Sequence, residues 1–266
     1  MTEYDDLESF DTFLAIVARL RGPGGCPWDR EQTHASLRKY LLEECYETLE
    51  AIDAGPGAAG RLAEELGDVL LQVGLHAQIG SDDGQFSIRD VLRNINAKLL
   101  RRHPHVFADA QASDPAEVEA NWQKLKQSEG HGQESVLAGV PKSLPALAAS
   151  QEIQGRAARM GFDWPDMDGV LDKVREELDE FRKARSPEEL EHELGDILAA
   201  LVNVGRKLNI DSEGALRKGN ERFRQRFGHM EQAARRQGRG LEELPLDEQE
   251  SLWQQAKSEL GGGPPA

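Results

Sequence analysis

The chain has 266 residues, enough for one large domain or two of ordinary size, and its 48 acidic against 32 basic side chains give a formal net charge of −16. That balance repels polyanions, so general nucleic-acid binding is disfavoured, while a cation held at one site still admits a small phosphorylated substrate. The two cysteines, Cys26 and Cys45, supply neither a disulfide framework nor a four-thiolate zinc site, and no apolar run reaches membrane-spanning length, so a reducing cytoplasm is expected.

Residues 1–20 carry Glu3, Asp5, Asp6, Glu8 and Asp11, the wrong charge for a targeting leader. β-Branched residues are sparse, and stretches rich in Leu, Ala, Glu, Arg and Gln repeat apolar positions at helical spacing, which predicts an all-α fold. In chain order the predicted helices are broken at 22–27, 55–60, 80–84, 109–115, 129–133, 161–169 and 185–187, and 261–266 is expected to be a disordered tail.

Between the first two breaks, Leu37, Leu41, Cys45 and Thr48 form a stripe, with Cys45 read as core. Glu44 sits on its edge and Glu47 shares its face, which predicts a partly buried carboxylate. On the next helix Leu62, Leu66, Val69, Leu70 and Val73 read as the core stripe, and Leu71 and Leu75 as a second apolar patch suited to a partner helix. Glu65 and Asp68 fall between these two patches, a poor address for a solvated charge. Farther on come Asn96-x-Lys98-x-x-x-Arg102, then His103 and His105 around Pro104, then Trp122.

The second half repeats this order. Trp164 answers Trp28; Val170, Val174, Leu178 and Phe181 form a stripe edged by Glu177 and Glu180; and Glu193 and Asp196 answer Glu65 and Asp68. Asn220-x-Arg222-x-x-x-Arg226, with Arg217, Lys218 and Arg224 nearby, matches the earlier basic block, and Trp253-Gln254 matches Trp122-Gln123. Copies at 1–130 and 146–260, joined by a linker at 131–145, follow from this register. Gly67 and Gly195, inside otherwise good helices, cost roughly 1 kcal/mol each relative to Ala, which a close helix contact or ligand approach would explain.

A single EExxE or ExxD in so charged a chain is ordinarily a solvated helix face. Two such helices, twice in the same order and followed by the same basic block, point elsewhere. Four carboxylates on semi-buried faces repel one another unless a positive charge sits among them, and an all-oxygen cluster suits Mg²⁺, or Mn²⁺, better than zinc or copper. Such an ion keeps positions that phosphate oxygens fill. The basic residues suit phosphate contacts but read equally as surface cations, and Trp253 as a core anchor or a base-stacking ring.

These blocks, with GGCPWDREQTHASLRKYLLEE and GFDWPDMDGVLDKVREELDE, resemble the MazG family of all-α nucleoside triphosphate pyrophosphohydrolases over nearly the whole chain. The resemblance implies two four-helix-bundle-like modules completed by dimerisation, and hydrolysis of NTPs and dNTPs to monophosphate and pyrophosphate as nucleotide-pool housecleaning. It makes Glu177, Glu180, Glu193 and Asp196 the Mg²⁺ ligands. Lys173, residues 189–192 including Glu189 and His192, Arg222, Arg226 and Trp253 become nucleotide contacts. General acid–base chemistry adds the expectation that Glu176 or Glu177 takes the proton of the attacking water. The second copy is then the active one; the first keeps Glu44, Glu47, Glu65 and Asp68 but has Tyr40 in place of Lys173 and Lys98 in place of Arg222. A homodimer acting on a nucleoside triphosphate is expected, with no nucleic-acid or membrane partner.

Three rivals stand beside this reading. Glu31-x-x-His34 and Glu189-x-x-His192 echo di-iron bundles, but they occupy different places relative to the two carboxylate pairs. A non-catalytic nucleotide-sensing or partner-binding protein would share the same frame. So would an enzyme narrow for dUTP or phosphoribosyl-ATP, since carboxylates read phosphates and say little about the base.

Overall fold

The structure, a computed structural model, describes residues 4, 6–108, 114, 117–118 and 135–261. Trp122, residues 131–134 of the expected linker and the tail from 262 onward lie outside the described residues. The chain divides into two compact units, Met1–Gly132 and Gln133–Ala266. Among the described residues both are built of helices and turns without a strand.

The first unit contains α1 (Phe10–Arg21), α2 (Pro27–Glu31), α3 (His34–Asp53), α4 (Ala59–Asp82), α5 (Ile88–Arg102) and α6 (Pro104–Phe107). Local chemistry sets the helix starts. The Ser9 hydroxyl accepts from the Thr12 amide, and Thr33 and Ser36 form a reciprocal capping box before α3, as Ser87 and Asp90 do before α5. α3 runs along α4, and α1 packs on α4. Val17, Leu37, Leu75 and Ile79 form the core, with Phe13, Tyr40 and Leu71 against it. Each fully buried aliphatic side chain contributes about 1.5–3 kcal/mol. At Gly74 an added Cβ would meet the Phe13 ring at 2.7 Å, so bare backbone is what lets that ring seat.

The second unit contains α7 (Ala146–Arg159), α8 (Met167–Lys183), α9 (Pro187–Lys207), α10 (Ser212–Arg236) and α11 (Leu246–Glu259). Asp166 caps α8 by accepting from the Gly169 amide; Ser186 and Glu189 box the start of α9, where Pro187 sits in the first turn. α8 lies along α9 with α7 beside it, while α10 and α11 enclose their own core of Met230, Ala234, Leu244 and Leu252.

Four expectations change. On α4 the two apolar faces are exchanged: Leu75 is buried at 2% exposure and Leu71 packs on the core, whereas Leu66, Leu70 and Val73 are exposed. The core side is set by α1, whose Phe13 and Val17 meet Leu75 and Gly74, and periodicity along α4 does not reveal that neighbour. Cys45 is exposed, because the covered side of α3 follows Leu37, Leu41, Glu44, Thr48 and Ala51 and so passes through the acid. Leu178 is likewise 41% exposed, while Val170, Glu177 and Phe181 face inward. Finally, Cβ atoms built at Gly67 and Gly195 meet nothing within 4 Å, so no helix of the described chain presses on them.

The turn before α8 is pinned to the end of α9. Asp163 accepts from Arg206 and pairs with Lys207 at 2.9 Å, and the Lys207 ammonium also donates to the Trp164 carbonyl. These bonds, Arg206 first, hold the Asp163 carboxyl down at about 2. Because the folded value lies below the unfolded one, the stabilisation is complete above pH 4 and lost as pH falls towards 2. Asp163→Asn is expected to lower stability by about 1–2 kcal/mol at pH 7, a gap that closes towards pH 2 in urea titrations at several pH values.

Candidate functional site

α8 and α9 bring Glu177, Glu193 and Asp196 together, with one carboxylate oxygen of each within 4.8 Å of the others. Glu177 is only 4% exposed, because it occupies a core-facing turn between Val170 and Phe181. Its Oε1 accepts from Lys173 Nζ at 2.6 Å, one turn earlier, and that ammonium also reaches Glu176 Oε1 at 2.9 Å. The two carboxylates push the Lys173 pKa upward, Glu177 most strongly. Oε2 of Glu177 and Oε2 of Glu193 are buried without a hydrogen-bond partner. Unpartnered buried carboxylate oxygens are costly, and two in one cluster fit a hard cation bound through oxygen.

The remaining residues predicted for this site are placed as follows. Glu180 is exposed and lies outside the group of three. His192 stands one turn before Asp196, Nε2 to Oδ2 3.3 Å. Glu189 closes the α9 capping box, accepting from the Arg185 and Ser186 amides, and those bonds lower its pKa. Arg222 is exposed on α10. Arg226 lies 5.7 Å from the centre of the Trp253 ring, which packs on the α10–α11 core and against Phe223 at 5.1 Å. Trp253 thus anchors this core while remaining partly exposed. On α10, Nε and Nη1 of Arg217 are shielded from water with no partner, a state an anionic oxygen would relieve.

The first unit repeats the cluster with a different membership. Glu44, Glu47 and Glu65 come within 4.8 Å of one another, and Asp68 stays outside that group. Burial, then the charge of Asp68 and the neighbouring glutamates, raise the Glu44 pKa. Glu65 is 9% exposed and held by Arg61 at 3.1 Å, a cation that also reaches Glu50 at 3.3 Å. Lys98 lies on α5, and Tyr40, in the place of Lys173, packs on the core with Trp28 edge-on to it at 5.7 Å.

In the second unit a cavity of about 450 Å³ adjoins the acidic group; Lys173, Glu177 and Asp196 form part of its wall, and Trp164, Asn203 and Arg206 another part. Small-molecule sites span roughly 300–1,000 Å³. Sequence reasoning singled out Trp164 only as a repeat marker and missed Asn203 and Arg206. The available signal was the run Ala199, Ala200, Asn203 on the inward side of α9, small or polar where α4 carries large residues.

The sequence is similar to those of known proteins. Residues 32–107 match the MazG nucleotide pyrophosphohydrolase domain. The chain is 46% identical to the nucleoside triphosphate pyrophosphohydrolase/pyrophosphatase MazG of Thermotoga maritima, an alignment covering 93% of this chain and 95% of that protein. It is 44% identical to the nucleoside triphosphate pyrophosphohydrolase of Escherichia coli strain K12, over 94% of this chain and 98% of that one. The uncharacterized protein YabN of Bacillus subtilis is 49% identical over 93% of this chain but only 51% of its own length. With acidic helix pairs in both units and identity of this order over more than nine-tenths of its length, the chain belongs to the MazG family.

Proposed function

We propose that the chain is a nucleoside triphosphate pyrophosphohydrolase that converts NTPs and dNTPs to the monophosphate and pyrophosphate in nucleotide-pool housecleaning, using Mg²⁺, or Mn²⁺ in its place, in the second unit. The observation that carries this reading is the pair of buried, partnerless oxygens on Glu177 and Glu193, grouped with Asp196, where Lys173, Glu177 and Asp196 line a ligand-sized cavity. The relatives' names support the reaction, and an all-oxygen donor set supports a hard divalent cation.

Glu177, Glu193 and Asp196 would hold Mg²⁺, with Glu180 one turn beyond Glu177 on α8. When bound, the ion supplies Lewis acidity towards the α-phosphoryl group and a water of lowered pKa. The chain's own groups do the rest. A first-helix carboxylate, Glu176 or Glu177, takes the proton of the attacking water. Lys173, already raised in pKa, stays cationic at neutral pH and, with Arg222 and Arg226, offsets charge on the departing pyrophosphate. Incubating ATP and a dNTP with Mg²⁺ and separating the products tests this; diphosphate and orthophosphate would overturn it.

The assembly we propose is a homodimer. On α9, Leu194 is 50%, Leu198 45% and Leu201 50% exposed, one apolar stripe along successive turns; on α4, Leu66, Leu70 and Val73 repeat it. Stripes of this kind on charged helices call for a covering partner, and a second copy of the chain offers the same faces under two-fold symmetry. The cytoplasm agrees with the free cysteines, and no helix among the described residues is long and apolar enough to cross a membrane.

A further inference from the structure

The two units carry the same acidic frame, yet one is filled beside it and the other is hollow. In the register that sets Glu44 on Glu177, Leu37 stands at the place of Val170 and Tyr40 at that of Lys173. In the register that sets Glu65 on Glu193, Leu71 stands at the place of Ala199 and Leu75 at that of Asn203. The four first-unit residues pack on one another, Leu37 and Leu75 being 0% and 2% exposed. Their four second-unit counterparts line the cavity of about 450 Å³. The smaller side chains of the second unit leave a cleft whose volume falls within the range of small-molecule sites.

The polar equipment of the hollow is fixed by its neighbours. Asn203 is 6% exposed, and its Oδ1 accepts from Arg206 Nε at 2.9 Å and Nη2 at 2.7 Å. A guanidinium only donates, so the amide cannot be turned over. Its Nδ2 is therefore the edge left without a partner, on a side chain that lines the cavity. Arg206 is clamped in turn by Asp163, which holds Asn203 in place from behind. Gln154 on α7 is fixed likewise: its Nε2 donates to the Ala199 carbonyl at 2.9 Å, which only accepts, so the buried Oε1 is an acceptor with no donor. Phe162, 79% exposed although aromatic, and Trp164 complete the wall with flat apolar surface.

We propose that this cavity is the nucleobase pocket of the second unit, in which the Asn203 amide donates to an acceptor on the edge of the base, and that Leu71 and Leu75 fill its counterpart in the first unit. A flat heterocycle edged with acceptors and donors matches an aromatic wall bearing one unpartnered donor and one unpartnered acceptor, and the Lys173, Glu177 and Asp196 part of the wall leaves the phosphates beside the acids. The first unit retains a cation site without room for a base. This inference rests on the pyrophosphohydrolase reading for the identity of the ligand, and the test separates the two.

The experiment uses the full chain, Mg²⁺ and two probes in calorimetric titrations: a non-hydrolysable α,β-imido nucleoside triphosphate and inorganic tripolyphosphate. Ala199→Leu places the first-unit residue in the hollow and, by filling space, leaves the fold intact. It is expected to weaken the nucleotide analogue at least about ten-fold while leaving tripolyphosphate unchanged. Asn203→Asp, which keeps an acceptor for Arg206 but removes the donor, weakens the analogue in the same selective way. An unchanged analogue affinity in both variants, or a parallel loss of tripolyphosphate, would overturn the pocket. Selective weakening in a chain that releases no pyrophosphate from any NTP would instead overturn the catalytic reading and leave the pocket standing.

Discussion

Glu177→Gln is expected to abolish pyrophosphate release while the chain still folds. Glu177 is the most buried acid of the group, and one of its oxygens has no partner, so it is the ligand least replaceable by water. Disturbing a group behind a metal ligand typically costs about 10–100-fold in affinity or activity, so loss of a ligand carboxylate should cost more than about a hundred-fold. Manganese titrations should lose the second-unit site and retain the one at Glu44, Glu47 and Glu65. Glu44→Gln should do the reverse, leaving turnover near the wild-type rate. Near-normal turnover in Glu177→Gln, measured as coupled pyrophosphate release, would refute the assignment of chemistry to α8 and α9.

The second large effect concerns assembly. Leu194→Glu with Leu198→Glu should leave each helix intact, since both side chains stand outside the core at 50% and 45% exposure. Fully burying an exposed leucine contributes about 1.5–3 kcal/mol; each of these is already about half covered, and a two-fold interface loses two residues from each copy, so the pair should cost about 3–6 kcal/mol of association. That is about two to four orders of magnitude in dissociation constant. Sedimentation velocity at micromolar concentration should then show monomer for the variant and dimer for the parent. A monomeric parent, or a variant that still pairs, would rule out this stripe as the interface.

Much of the architecture was legible because helices write their period, and the breaks between them, into the chain. The capping boxes Thr33 with Ser36, Ser87 with Asp90 and Ser186 with Glu189, which fix three of the starts, went unread. The acids were legible through the repetition of their order, and Glu177, Glu193 and Asp196 do converge. Which side of α4 faces inward was not, because both sides are apolar and the choice rests on α1, a partner that α4 does not encode. The inward course of α3 and α8 through Glu44 and Glu177 was half seen: the acids were placed on a stripe edge, while their burial comes from α4 and α9 packing alongside. Asn203 was invisible because one asparagine on an apolar helix carries no pattern of its own. Its meaning appears only when Arg206 and Asp163 are seen to fix its orientation.

Gly67 and Gly195, each one position before an aspartate of its acidic helix, have open space where a side chain would stand. Nothing steric in the described chain prevents alanine there, and alanine favours a helix by about 0.8–1 kcal/mol, worth a few degrees of melting temperature. The simplest thermostabilising substitutions in this protein therefore lie against its two acidic centres. Gly195→Ala should raise the melting temperature and slow turnover, whereas Gly67→Ala should raise it at no kinetic cost, both read by calorimetry alongside initial rates. Adaptation to heat would then meet a conflict in the working half of the molecule that the other half does not share.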